Sequence, residues 1–214
     1  MNSAKALDNS TDQEIIERII SGEKNLFEVL IRRYNPSLYK VGRSYGYNHH
    51  DVEDLMQESY VNAYKALKDF KQLSGFKTWL TRIMLNQCYH KKQKHSYTKE
   101  VLFSNDNNNT MVYPSSNNTG KSVVNKELGA IIENALQNLP QDHRMIFTLR
   151  ELNGMSVAET AELTNNSEAN VKTRLSRAKA LLRTEIEKMY QAEDIYEFNL
   201  VYCDRIVERV MAEI

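Results

Sequence analysis

Apolar residues recur at three- and four-residue intervals along most of the chain, the period of helices that bury one face. Thr11-Asp12-Gln13-Glu14 has the pattern of a capping box, and Ile15, Ile16, Ile19 and Ile20 follow at helical spacing before Ser21-Gly22 stops the run. Leu26, Phe27, Leu30, Ile31 and Tyr34 continue the pattern as far as Pro36, and Leu38, Val41 and Tyr45 form a further set of turns. Asp51 to Lys68 reads as one long helix with Val52, Leu55, Met56 and Leu67 inward. Phe76 to about Lys94 reads as another, with Trp79, Leu80, Ile83 and Gln87 along one face.

In the second half, Leu128, Ile131, Ala135, Leu136 and Leu139 share a helical stripe. Pro140 opens the next helix at its first position, where a missing N–H costs nothing. Ile146 and Leu149 face a core, and Asn153-Gly154 ends the element. Ser156-Val157-Ala158-Glu159 is a second capping box, followed by Ala161 and Leu163. Thr164-Asn165-Asn166 makes a turn, Ser167 caps, and a long helix runs from Glu168. Between the halves, Ser104 to Thr110 and Pro114 to Gly120 are polar and aperiodic, too poor in apolar groups to offset their ordering entropy. The pattern predicts an all-α chain of two helical domains, residues 11–95 and 127–188, joined by a flexible linker over 96–126. The C-terminal domain carries a helix-turn-helix, and 189–214 form a helical extension. Tyr190, Tyr196, Phe198, Cys203, Ile206, Val207, Val210 and Met211 give that extension an apolar stripe, expected to pack on the C-terminal domain.

Composition supports this reading. The 214 residues are 41% hydrophobic and 26% charged, enough to build a core. With only 7 Gly and 3 Pro, long helices are favoured over a turn-rich β fold. No apolar run is long enough to cross a membrane, and Met1 to Ser10 lacks the apolar segment of a secretion signal. Two cysteines, Cys88 and Cys203, cannot form a multi-bridge scaffold; a reducing, cytoplasmic setting is expected. Lys and Arg total 28, as do Asp and Glu, but the zero sum hides an uneven distribution: the chain through His95 is net basic and the chain after Lys126 net acidic.

Three elements carry chemistry. The first is the pair of helices at 156–163 and 168–183, a short capped helix, a tight turn and a second helix, which is the helix-turn-helix plan. From Asn170 to Arg183 stand Lys172, Arg174, Arg177, Lys179 and Arg183 with no acid among them. Val171, Leu175, Ala178 and Leu182 form the inward stripe, which leaves the cations outward, where phosphates and guanine edges would lie. A merely solvated face would carry acidic partners at i,i+4. The second element is acidic: Asp51, Glu53, Asp54 and Glu58, with Gln57 beside them and no Lys or Arg between Asn48 and Tyr64. Asp51 and Glu53 suit a helix start; Asp54 and Glu58 repel mildly at i,i+4 and fit a cationic protein partner. The third mixes rings and cations. Phe70, Phe76, Trp79 and Tyr89 interleave with Lys71, Lys77, Arg82, Lys91, Lys92 and Lys94, and no acid occurs from Phe70 to His95. Cations that hold a backbone and rings that stack on bases are what single-stranded DNA requires. At least one of Phe76 and Trp79 is expected in the core instead.

No Gly-rich phosphate loop, Walker lysine, zinc-ligand spacing or nucleophile elbow is present, so no cofactor or metal is expected. His90 and His95 lie five apart, off one helical face.

Taken in this order, the three elements resemble an extracytoplasmic-function sigma factor of bacterial RNA polymerase. The resemblance spans about 23–95 and 127–188. It rests on Asp51-Val52-Glu53-Asp54-Leu55-Met56-Gln57-Glu58, on Phe76-Lys77-Thr78-Trp79-Leu80-Thr81-Arg82-Ile83 with Asn86, on Leu139-Pro140, and on Met155-Ser156-Val157-Ala158-Glu159 through Val171-Lys172-Thr173-Arg174-Leu175-Ser176-Arg177-Ala178. It implies a non-enzymatic promoter-specificity subunit whose partners are core RNA polymerase, promoter DNA and, in many members, an anti-sigma factor, with no membrane insertion. By position, Asp51, Glu53, Asp54, Gln57 and Glu58 correspond to the polymerase-docking face. Phe70, Lys71, Phe76, Lys77, Trp79, Arg82, Asn86 and Lys91 correspond to the contacts with the opened downstream (−10) element. Ser167, Asn170, Lys172, Arg174, Arg177 and Lys179 correspond to contacts with the upstream (−35) element. Two positions depart from the family's habit: His90 stands where an Asp is frequent, and Asn170 where a Thr is. Competing classes are a stand-alone helix-turn-helix regulator, which would need neither the acidic helix nor the ring-and-cation segment, and a nuclease, which would need carboxylates in its basic cleft.

Overall fold

The capping box at the N-terminus forms as its sequence predicts. Thr11 Oγ1 accepts the Glu14 N–H at 3.3 Å and the Glu14 carboxylate accepts the Thr11 N–H at 2.8 Å, starting α1, Asp12–Ile20. The computed structural model describes residues 10–71, 74–101, 121–189, 207 and 209–212. Among them every regular element is helical, in two bodies.

Ile15, Ile16 and Ile19 of α1 are buried, and Gly22, at φ 125°, turns the chain through a 3₁₀ turn at Lys24–Leu26. Here the structure overturns one expectation. Pro36 does not end a helix; α2 runs unbroken through it, Phe27–Ser44. A proline inside a helix costs about 3 kcal/mol. Leu30, Leu38 and Val41, all fully buried on one face of α2, offset that cost. Gly42 lets α2 approach its neighbours: a Cβ there would sit 2.7 Å from Val52 Cγ1 and 2.9 Å from Met84 Cε. Asn48, whose side chain accepts the Asp51 N–H at 2.9 Å, starts α3 slightly earlier than predicted, at His49–Lys65. A 3₁₀ turn, Leu67–Asp69, leads to α4, Phe76–Val101. Leu80, Met84, Leu85 and Cys88 bury the inner face of α4. Burial pushes the Cys88 thiol up to about 12, which keeps it protonated and unreactive.

The second body holds α5, Lys121–Gln137, and α6, Gln141–Phe147, with Pro140 as the cap rather than the first helical residue. A π-helical turn, Thr148–Leu152, follows, and Gly154 at φ 66° redirects the chain. The second capping box opens α7, Val157–Thr164. Asn165 closes it in the left-handed conformation, at φ 51°. Ser167 Oγ then accepts the Asn170 N–H at 3.2 Å to start α8, Glu168–Met189. Two small clusters hold these helices: Leu136, Leu139 and Ala178, and Ile146, Ala161 and Val171.

Both ends of the segment expected as a linker are helical. Residues 96–101 and 121–126 are helical, the ends of α4 and α5; residues 102–120 lie outside the described residues. The bodies are also less separate than two tethered cores would be. Leu149 and Met155, both buried, join the core of α1–α4, and Met145 and Leu163 pack against it. The apolar stripe predicted an inward Leu149 correctly, but inward here means into the other body. In the C-terminal extension, Tyr190, Tyr196, Phe198, Cys203 and Ile206 lie outside the described residues; Val207, Val210 and Met211 are exposed and do not make the expected packing. Among the described residues no helix is long and apolar enough to cross a membrane.

Candidate nucleic-acid and polymerase interfaces

The apolar stripe of α8 orients its cations. Val171 and Ala178 are fully buried, and Leu175 and Leu182 pack half-buried against the two small clusters. The opposite face is thereby turned to solvent. Ser167, Asn170, Lys172, Arg177 and Lys179 are exposed. Lys179 reaches Glu151 at 2.9 Å. Arg174 differs: it is half-buried and its Nη1 donates to Asp142 of α6 at 2.9 Å. The short helix α7 lies across α8, as the helix-turn-helix plan requires.

On α3, Val52 and Leu55 point inward, which leaves Glu53, Asp54, Gln57 and Glu58 exposed as an acidic surface. Asp51 stands apart. Lys91 Nζ of α4 lies 2.5 Å from its carboxylate, so a residue assigned by resemblance to docking and one assigned to DNA neutralise each other. Glu53 pairs with His49 Nε2 at 3.2 Å. Asp54 and Glu58 share a shallow groove with Gln87, His90, Lys91 and Lys94 of α4.

On α4 the rings cluster. Phe70 and Trp79 centroids are 4.9 Å apart, Phe76 and Trp79 5.6 Å, and Phe70 and Phe76 5.8 Å. Phe76 is only 3% exposed and belongs to the core, as expected of at least one ring; it has no face to offer a base. Phe70 and Trp79 are half-buried, packed on the core from outside. Lys71 and Asn86 are exposed.

Three polar groups near the start of α4 meet the second body. Lys77 Nζ donates to the Asn153 carbonyl, Thr78 Oγ1 donates to Glu159 Oε1 at 2.6 Å, and Arg82 Nη2 lies 2.5 Å from Glu162 Oε1. The Thr78 hydroxyl, followed by the Ser156 N–H, holds the Glu159 carboxyl below its usual value. Across α2 a second seam forms. Arg43 pairs with Glu133 at 2.5 Å, and Arg144, 8% exposed, donates to the Ser44 carbonyl at 2.6 Å and the Gln137 carbonyl at 2.7 Å. Glu159 is visible in the sequence only as a helix cap. Glu162 carries no local signal at all, because its partner is 80 residues away.

Two family models match the chain: "Sigma-70 region 2" over residues 30–97 and "Sigma-70, region 4" over residues 129–182. The chain is 30% identical over 184 residues to the ECF RNA polymerase sigma-E factor of Haemophilus influenzae, covering 84% of this chain and 97% of that one. The chain belongs to the extracytoplasmic-function sigma-70 family. Similarity extends to the sigma-E factors of Salmonella typhimurium, at 29% identity over 84% of this chain and 96% of that protein, and of Escherichia coli, at 28% over the same shares. Among solved structures, CnrH in complex with the cytosolic domain of CnrY matches with a TM-score of 0.60 and 26% identity over 84% of this chain and 99% of that chain. The chain is thus an RNA polymerase sigma factor, with region 2 in α2–α4 and region 4 in α5–α8. Sigma factors are transcription initiation factors rather than enzymes.

Proposed function

We propose that this sigma factor divides its work among the three surfaces. The exposed acids Glu53, Asp54 and Glu58, with Gln57, dock on a basic element of core polymerase. Asp51 joins them if Lys91 exchanges partners. Ser167, Asn170, Lys172, Arg177 and Lys179 on α8 enter the major groove of the upstream element, and Arg174 does so after leaving Asp142. Lys71, Lys77, Arg82, Asn86 and Lys91, with the rings of Phe70 and Trp79, hold the opened downstream strand, while Phe76 supports them from the core. The chain acts in the cytoplasm, is not itself an enzyme, and takes an anti-sigma protein as a further partner. Residues 11–95 and 127–188 are its working domains.

The observation that carries this reading is the outward cationic face of α8, free of acids from Asn170 to Arg183 and set by a buried apolar stripe, in a chain that also carries an exposed acidic helix. The division makes energetic sense. Extruding and unpairing bases costs a few kcal/mol, and stacking on rings returns roughly 1–3 kcal/mol per base. With no nucleotide site in the sequence, binding must meet that cost.

The test is transcription from a defined start. Purified chain added to bacterial core polymerase gives specific run-off transcripts; absence of polymerase binding at low salt ends the reading. Asp54→Arg with Glu58→Arg leaves the circular dichroism spectrum unchanged and removes the complex from gel filtration. A retained complex removes the docking role. A stand-alone regulator would instead footprint a palindrome without polymerase.

A further inference from the structure

The seam across α2 holds a groove that none of the three surfaces uses. Its volume is about 240 Å³, and its walls come from α2, from α5 and α6, and from the π-helical turn. Ile132 and Leu136 of α5, Leu152 of the turn and the ring of Tyr39 make those walls largely apolar. Gly129 also lines the groove and leaves it open: a Cβ there would meet nothing within 4 Å.

Charge in the groove does not balance. Three cations line it, Lys40, Arg43 and Arg144, against one acid, Glu133. Glu133 is taken by Arg43, at 2.5 Å. Lys40 Nζ donates to the Leu152 carbonyl, at 3.2 Å. Arg144 is 8% exposed, and its Nε and Nη1 donate to the neutral carbonyls of Ser44 and Gln137. Among the described residues no carboxylate pairs with Lys40 or Arg144. Burial, then the like charge of Arg43, holds the Arg144 guanidinium below its usual value. A buried cation without a counter-charge is destabilising, and an anion brought beside it relieves that strain.

We propose that this groove binds a small amphiphilic anion, a carboxylate with a short aliphatic tail: the head meets Arg144 and Lys40, and the tail lies along Ile132, Leu136 and Leu152. The volume falls just below the range of roughly 300–1,000 Å³ usual for drug-sized ligands, so the occupant is smaller than those. The inference goes beyond the promoter reading and does not rest on it. Because α2 belongs to the first body and α5 and the turn to the second, the occupant bridges the two and stabilises the chain that holds it.

The experiment uses the full chain alone, titrated calorimetrically with octanoate, octanol and acetate. Octanoate is expected to bind once per chain, about tenfold or more tighter than octanol, because the alcohol lacks the charge-assisted contact. Acetate gives no measurable heat, since each buried methylene is worth roughly fourfold. Gly129→Leu puts a side chain into the open space and favours the helix; it removes the octanoate site without lowering the melting temperature. Arg144→Met brings octanoate down to the level of octanol. Equal binding of octanoate and octanol by the natural chain, octanoate binding that survives Gly129→Leu, or no octanoate binding at all overturns the proposal. So does a mass in light scattering that doubles with concentration and stays single for Gly129→Leu, since a second copy would then be the occupant. Calorimetry on the chain alone involves neither promoter nor polymerase. A failure of run-off transcription therefore leaves the ligand site standing, and a failure of octanoate to bind leaves the promoter reading standing.

Discussion

Helices α4 and α8 are built alike and placed differently. Each has a buried apolar stripe and a cationic stretch without acids: Phe76 to His95 in α4, Ala169 to Thr184 in α8. In α8 most of those cations face solvent, because the helix lies at the edge of its body and only one side is covered. In α4, Leu80, Met84, Leu85 and Cys88 fill the core of the first body while Lys77, Thr78 and Arg82 face the second. The contrast teaches that a cationic, acid-free run specifies affinity for anions but not which anion answers. For α8, Arg174, Lys179 and Arg183 meet acids of their own body, Asp142, Glu151 and Glu187, while Lys172 and Arg177 stand exposed. For α4, the acids that answer Thr78 and Arg82, Glu159 and Glu162, come from the other body.

The contrast can be broken in three ways. The largest effect is on stability. Leu80→Ala removes a fully buried side chain from the center of the first body and is expected to cost about 2–5 kcal/mol in urea unfolding. Leu182→Ala, at a half-buried site on α8, costs distinctly less. Equal losses would mean that α8 is as deeply packed as α4. The next effect is on DNA. Arg177→Ala is expected to lose on the order of 1–3 kcal/mol of affinity for the upstream duplex, with polymerase binding unchanged on gel filtration. Trp79→Ala leaves duplex affinity intact but weakens strand opening by roughly 1–3 kcal/mol, read by permanganate reactivity. Matching behaviour of the two variants in both assays would erase the division between the helices.

The smallest effect is that of pH on the seam. The Glu159 carboxyl, held below its usual 4.5 by Thr78 and Ser156, contributes stability that is complete above about 4.5 and is lost as pH falls through its folded value. The natural chain is therefore expected to melt above Glu159→Gln at neutral pH, with the gap closing below 4.5. Lys77 lies near the same carboxylate and adds to its preference for the charged form. A gap independent of pH would mean that Glu159 acts through packing or its cap alone.

Much of the architecture was legible because it is local. Capping boxes at Thr11 and Ser156, the stop at Gly22, the turn at Asn165 and the inward stripe of α8 each depend on residues within one or two turns of one another. The exposed acids of α3 follow from the same periodicity. Pro36 was misleading because a local penalty was outweighed by burial of Leu30, Leu38 and Val41. Phe76 and Trp79, three positions apart and alike in chemistry, could not be ranked until the packing of Phe70 and α2 around them was known.

By itself the sequence determined an all-α chain, the two helical bodies, the orientation of α8 and the chemistry of each surface, because helical periodicity and side-chain charge are carried by neighbours along the chain. Only the tertiary structure decided that Leu149 and Met155 join the first core, that Lys91 neutralises Asp51, and that Glu159 and Glu162 answer Thr78 and Arg82. Those pairings span 40 to 81 residues of sequence. Two charges that far apart in the chain have no preferred partner until packing brings them within reach.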